Sequence, residues 1–198
     1  MPETFFFGNY EGLRQRQGVT NVATVPDANA HQGLILAPGG GLQQVAVAPS
    51  TRSYLDLWPL PNGPAIGSGI ATLFAAANSS VDENFFVVRA DHHFNDKQSL
   101  FARVTYDQGN LITPDAVLIT ATTAAAHTRY TTLQHDFIVS PQFLMTTRIA
   151  YNRTLLLGNE IPLINYPPSL NLFVPGWLPQ LGFPGVTVMG PGGRPFFQ

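Results

Sequence analysis

Two dipeptides in the sequence, Asp91-His92 and His135-Asp136, place an imidazole beside a carboxylate, the pair of groups that acid–base catalysis uses. Both lie in segments whose apolar and polar residues alternate as in strands, so neighbouring side chains point to opposite faces. Neither dipeptide is then a working pair, and no third group converges on either. His92 and His93 diverge in the same way, without a third metal ligand at suitable spacing. The sequence therefore predicts no catalytic site, no metal site and no cofactor, and we expect that the protein is not an enzyme.

A second set of charges recurs along the same segments at positions that share one face of each strand. The set consists of Arg89, Asp91, Arg103, Asp107, Asp136 and Arg148. For Arg89, Asp91, Arg103 and Asp107, one interpretation is a ladder of cross-strand ion pairs that stiffens a polar wall. The other is a charged path for a substrate along that wall. We favour the first interpretation, because a polar interior is general in membrane barrels.

The elements that must position these charges are strands with alternating faces. Strand-like segments lie at 4–14, 18–25, 84–94, 99–107, 130–139 and 143–153. The last four form two hairpins, each with a short polar turn at one end and a long connection at the other. Residues 14–17 either turn between two strands or continue one long strand. The pattern predicts an all-β fold of antiparallel up-and-down hairpins.

Three long segments separate or follow these strands, and we predict that they are irregular loops. They cover 26–83, 108–129 and 154–198. Residues 49–58 are predicted to form a short helix in the first loop, capped by Ser50 or Thr51. The last segment contains repeated prolines, which exclude a central strand over most of its length. Loops this long are unusual in a compact soluble domain and ordinary on the outer side of a membrane barrel.

The composition favours a chain that faces lipid or a large partner. Charged residues make up 11% of the chain, less than half of the ~25% usual in soluble domains. The net charge of −2 gives no basic footprint for nucleic acid. The chain has no cysteine, which excludes disulfides and cysteine-based metal sites. No apolar run approaches the ~20 residues of a membrane helix, whereas a strand crosses with about 10.

A succession of motifs, each weak alone, resembles one family. The motifs occupy 4–18, 22–26, 58–63, 84–92, 97–103 and 149–154. Together they are similar to TonB-dependent receptors of the Oar-like subgroup. The resemblance covers most of residues 4–154 in order. It implies a barrel of about 22 strands with a plug inside, which takes up a bulky ligand across the bacterial outer membrane with energy relayed by TonB.

The chain departs from that family in having no visible plug domain, no TonB-contacting segment and too few strands to close a barrel. We therefore expect a single partial barrel domain over residues 1–198, an open fragment from the N-terminal part of the barrel wall. Its partners are expected to be outer-membrane lipid, the plug and remaining strands, the TonB complex and an unidentified transported ligand. Residues 26–36 diverge from what is usual in the family, and they belong to the loops that would determine the ligand.

The resemblance also implies a topology. The short turns, 95–98 and 140–142, are expected in the periplasm, and the long loops outside. The apolar strand faces are expected to meet lipid and the six charged residues to face the lumen. Phe94 and Phe101 near one rim, and Tyr106, Tyr130 and Tyr151 near the other, suit aromatic girdles. The alternative from another class is a soluble secreted β-sandwich that binds glycans or a cell surface, with its apolar faces packed on each other.

Overall fold

The computed structural model describes residues 2–170 of the chain. Long strands make up most of it. The strands are β1 (Glu3–Pro26), β2 (Leu34–Leu36), β3 (Leu42–Gln44), β4 (Ala65–Gly67), β5 (Ile70–Asn95), β6 (Gln98–Pro114), β7 (Thr120–Ser140) and β8 (Phe143–Pro162). The helical segments are α1 (Ala28–His31), α2 (Pro49–Leu55) and a 3₁₀ turn at Pro168–Leu170.

The main sheet has the order β1-β5-β6-β7-β8, and β4 pairs with the beginning of β5. From β5 to β8 each strand pairs with the next in the chain, which is the up-and-down arrangement predicted. β1 reaches β5 across the segment between them, where β2 and β3 form a separate antiparallel pair. The all-β prediction is confirmed, and the described sheet is open, with β1 and β8 at its two edges.

The two short turns lie where the sequence predicts them. Between β5 and β6 the Asn95 side chain accepts a hydrogen bond from the backbone N–H of Lys97 at 2.9 Å. Between β7 and β8 the hydroxyl of Ser140 accepts one from the N–H of Gln142 at 3.3 Å. Asn and Ser side chains stabilise turns by such local bonds, so these turns are encoded by their own residues.

The strands are much longer than the predicted segments. β1 is one strand of 24 residues, so residues 14–17 continue it rather than turn. β5 begins at Ile70, inside the predicted loop 26–83, and most of the predicted loop 108–129 belongs to β6 and β7. β8 continues past residue 153 to Pro162. These extensions consist largely of small and polar residues, whose pairing with neighbouring strands gives little alternation in the sequence.

The chain divides into two compact units, each assembled from three separate stretches of the sequence. The strand unit contains Met1–Gln15, Val81–Leu111 and Ala124–Leu157. The loop unit contains Arg16–Ser80, Ile112–Thr123 and the described part of Gly158–Gln198. The rest of the predicted loop 154–198, from residue 171 on, lies outside the described residues.

In the strand unit one face of the sheet is apolar and open. This apolar face consists of the even-numbered residues of β1, β5 and β6 and the odd-numbered residues of β7 and β8. Its exposed large side chains include Phe6, Tyr10, Phe86, Val88, Phe94, Val104, Leu133, Phe143, Met145, Ile149 and Tyr151. A soluble sandwich would bury such a face against a second sheet. Leaving it exposed is what a lipid-facing wall requires.

The loop unit has a conventional core. Leu55 and Trp58, at and after the end of α2, are buried together with the strand residues Val25, Leu73 and Ile119. The helix predicted at 49–58 is confirmed as α2, but its predicted cap is wrong. α2 begins after Ala48, with Pro49 in its first turn and no side-chain cap, because proline needs no partner for a missing N–H and has a helical φ.

Candidate functional site

The opposite face of the strand unit, which we term the polar face, carries a shallow groove of 460 Å³. Its lining consists of Phe7, Phe85, Val87, Arg89, Arg103, Thr105 and Tyr130. Four adjacent strands of the sheet, β1, β5, β6 and β7, contribute these side chains, which alternate with those of the apolar face. The groove therefore combines two guanidinium groups with aromatic and aliphatic walls.

The guanidinium of Arg89, one of the two in the groove, makes three contacts. It donates two hydrogen bonds to the carboxylate of Asp91, at 2.7 and 2.6 Å. It also lies 4.1 Å from the ring centroid of Phe101, which is within cation–π range. The ion pair runs along one strand rather than across strands, since residues two apart on a strand share a face. Arg89 and Asp91 therefore form an ion pair within one strand, where the sequence predicted ion pairs between strands.

A second polar group lies on β7 and β8. Asp136 accepts hydrogen bonds from the Thr146 hydroxyl at 2.7 Å and from the Gln134 amide at 2.9 Å. The amide oxygen of Gln134 in turn accepts from the Nε of Arg148 at 2.7 Å and from its Nη2. Gln134 thus bridges Asp136 and Arg148, which the sequence predicted as charges of one wall. The two strands are joined through the neutral side chains of Gln134 and Thr146, rather than by a direct ion pair between Asp136 and Arg148.

The six predicted charges therefore have different surroundings. Arg89, Asp91 and Arg103 belong to the groove or are bonded to its lining, and Asp136 and Arg148 belong to the bridged group. Asp107 follows Arg103 on the same face of β6 by strand alternation and is half-buried. The sequence reasoning missed Gln134, Thr146 and Phe7. The alternation of strand faces could have identified Gln134 and Thr146, because each lies two residues from a predicted charge on its own strand. Phe7 lies on β1, where no charge was predicted.

Two of the aromatic residues assigned to lipid girdles lie on the other face. Phe101 lies under Arg89, and Tyr130 lines the groove, so both belong to the polar face. The reason is the period of the strand: Phe101 follows Leu100, and Tyr130 follows Arg129, by a single residue. Tyr106 lies on the apolar face, stacked on Phe86 with 5.2 Å between ring centroids.

The histidines confirm that neighbouring strand residues diverge. Nδ1 of His92 lies 2.8 Å from the Thr4 hydroxyl and its ring contacts Phe94, on the apolar face. The His93 ring makes an edge contact with Phe5. Among residues 2–170 no three potential metal-ligating side chains come together.

At the level of Asn84 on β5 and Tyr106 on β6, polar groups replace the apolar side chains of this face. Next to Phe86 on β5, Asn84 accepts hydrogen bonds from the Tyr10 hydroxyl at 2.9 Å and from Arg14 at 2.6 Å. Arg14 also donates to the carbonyl of Glu83 and lies 3.6 Å from the Asp82 carboxylate. On β6 the Tyr106 hydroxyl donates to Gln108 at 2.7 Å.

The loop unit contains a partly buried polar cluster at the turn between β6 and β7. The Asp115 carboxylate accepts hydrogen bonds from the backbone N–H groups of Val117, Ile119 and Thr120, each at 3.1 Å. The Thr120 hydroxyl lies 2.7 Å from Asp115 Oδ2 and 3.0 Å from Glu160 Oε1. A hydroxyl has one proton, so it donates to one carboxylate at a time. Burial, with the nearby Asp115 charge, raises the pKa of Glu160, and the Thr120 hydrogen bond partly opposes that rise.

No helix within residues 2–170 is long and apolar enough to cross a membrane. A family model described as an outer membrane beta barrel domain matches residues 2–198. Neither the curated proteins nor the solved structures contain a significant match to the chain.

Proposed function

The chain belongs to the outer membrane beta barrel domain family and is a protein of the bacterial outer membrane, and we propose that its strands form part of the wall of a TonB-dependent receptor that takes up a bulky ligand. The observation that supports this most is the two-faced sheet of the strand unit. The apolar face exposes large side chains, and the other face holds bonded charges and a groove. In a barrel the first face meets lipid and the second lines the lumen.

The polar face suits a wall that contacts a plug rather than an open aqueous pore. Arg89 is held by Asp91 and Phe101, and Asp136 by Thr146 and Gln134. Side chains fixed in this way present a defined surface to a neighbouring domain. The same charges also suit the competing interpretation, in which they line the path of the ligand.

The loop unit supports a receptor rather than a simple membrane anchor. Its buried core and the Asp115 cluster give the long segments a fixed fold. Binding residues are found disproportionately on loops that a rigid scaffold positions. The resemblance to Oar-like receptors adds the proposed plug and TonB partners. Membership of an outer-membrane family sets aside the soluble sandwich considered from the sequence.

In vivo photo-crosslinking on the intact protein in its own outer membrane tests this proposal. A photoreactive residue at position 136, on the polar face, is expected to crosslink to protein: a plug domain, in the same polypeptide or supplied by another. The matched variant at position 145, on the apolar face, is expected to crosslink to lipid. Separately, chemical crosslinking is expected to capture TonB. Failure to recover TonB, with position 136 accessible to water and free of protein adducts, would overturn the receptor proposal.

A further inference from the structure

Two arginines occupy opposed positions on β7 and β8 where the apolar face ends. Arg129 on β7 lies 5.4 Å from the ring centroid of Tyr106, so it points out of the apolar face. Gln134 bonds to Arg148 and Asp136 to Thr146. Counting along the antiparallel hairpin from these pairs places Arg153 directly across from Arg129. The Thr123–Asn159 hydrogen bond further along the hairpin keeps the same register.

Arg129 and Arg153 place two positive charges opposite each other on one face of the hairpin. Directly opposed residues on one face have Cβ atoms about 5 Å apart, and like charges in that position destabilise a sheet. Both arginines are exposed, and in the described part of the chain neither is bonded to a carboxylate. Arg14, by contrast, also points out of this face and is paired with Asp82 and Asn84. An anion between Arg129 and Arg153 would remove their repulsion.

The depth of the two arginines in the membrane indicates which class of anion they would bind. On neighbouring β6, Tyr106 marks the level at which the apolar face becomes polar, and Val104 below it is exposed. From Phe94 to Phe86 is about eight residues, which at ~3.3 Å per residue and a tilt of ~40° spans roughly 20 Å across the membrane. That is close to the ~25 Å apolar band of membrane barrels. The arginines therefore lie at the depth of lipid headgroups.

We propose that Arg129 and Arg153 together bind the phosphate of an anionic lipid headgroup at the edge of the apolar face that Tyr106 marks. Tyr106 packs under the Arg129 guanidinium from the β6 side of β7 and holds it at the edge of the apolar face. Guanidinium groups suit phosphate because their paired N–H groups match two oxygens. The inference rests on the lipid-facing part of the proposed function and is independent of TonB and of the transported ligand.

A local fluorescence reporter tests the proposal. The substitution Tyr106→Trp places a tryptophan beside Arg129 in the intact protein, and the parent protein supplies the background from the native tryptophans. The protein is reconstituted in phosphatidylcholine vesicles containing increasing dibrominated phosphatidic acid, which quenches only nearby tryptophan. The relative association constant for phosphatidic acid over phosphatidylcholine is expected to be greater than one. Each arginine is expected to contribute a factor of about five to it.

Variants separate charge from fold. Arg129→Gln with Arg153→Gln is expected to reduce the relative constant to about one, and Arg129→Lys with Arg153→Lys to leave part of the preference. Arg14→Gln, the matched control, is expected to leave it unchanged. Heat-modifiable electrophoresis establishes that each variant is folded.

Any of the following outcomes overturns the proposal. One is an unchanged preference in the double glutamine variant, or an equal loss in Arg14→Gln. Another is displacement of the lipid by free inorganic phosphate, which would make the pair a soluble-anion site. If brominated phosphatidylcholine itself fails to quench the reporter, the lipid-facing assignment fails as well, so the two hypotheses are distinguishable.

Discussion

Placing an arginine at successive depths of the apolar face tests the facing assignment most directly. Val104 and Ala102 point out of β6 on this face, and Thr105 lines the groove on the other. Tyr106 marks the edge of the band. With a rise of roughly 2.5 Å per residue across the membrane, Val104 lies about 5 Å inside that edge and Ala102 about 10 Å. The two positions thus sample the outer part and the centre of the band.

The expected magnitudes follow from depth. An arginine on the lipid face costs about 2–4 kcal/mol at the midplane and about 0–1 kcal/mol at the interface. We therefore expect Val104→Arg to lower the free energy of unfolding by about 1.5 kcal/mol and Ala102→Arg by about 3 kcal/mol. These correspond to roughly 10-fold and over 100-fold in the folding equilibrium. Thr105→Arg adds a charge on the polar face and is expected to change the free energy of unfolding little.

The measurement is a urea titration of the intact protein in phosphatidylcholine vesicles, followed by heat-modifiable electrophoresis. Ala102→Leu, which enlarges the side chain without adding charge, controls for volume. The reasoning is refuted if Thr105→Arg costs as much as Val104→Arg, or if Ala102→Arg costs less than Val104→Arg. Either result would mean that the apolar face is not the one in lipid.

Further predictions concern the loop unit and one strand. Because the pKa of Glu160 is raised in the folded state, its ionisation opposes folding above that pKa, and stability should rise as pH falls through it; Glu160→Gln should remove this dependence in denaturation measured from pH 8 to pH 4. Ile119→Ala is expected to cost about 2–5 kcal/mol and Ile119→Val about 0.5–1.5 kcal/mol in hydrogen-exchange protection of the loop unit, and equal costs would contradict its burial. Gly63→Ala places a Cβ 2.6 Å from the Phe74 ring, whereas Gly109→Ala meets no atom within 4 Å, so proteolysis should detect loosening of residues 60–64 in the first variant alone.

The features that the sequence predicts well are those encoded locally. The period-two alternation around Phe85–Phe94 identified two faces, and the structure confirms that His92 and His93 diverge. The turns at Asn95 and Ser140 were predictable because their own side chains stabilise them. The all-β class and the outer-membrane location followed and are confirmed. The Oar-like assignment, TonB coupling and the ligand stay predictions.

Other features could not be predicted from the sequence, because they depend on which residues lie opposite one another in the folded sheet. The strand extensions at 75–80 and 120–126 consist of small and polar residues, whose strand state depends on pairing and on the core around Trp58 and Ile119. Asp115 gives no sign in the sequence that it organises a turn, because its carboxylate accepts bonds from groups that converge once the turn has formed.

The sequence by itself determined that this chain is built of two-faced strands with short turns at one end, since alternation and turn chemistry are properties of neighbouring residues. The tertiary structure decided the partners across strands. It set Phe101 beside Arg89, joined Asp136 to Arg148 through Gln134, and set Arg129 beside Tyr106. Strand register determines these contacts, and register depends on how whole strands pair and on the geometry of the turns that join them.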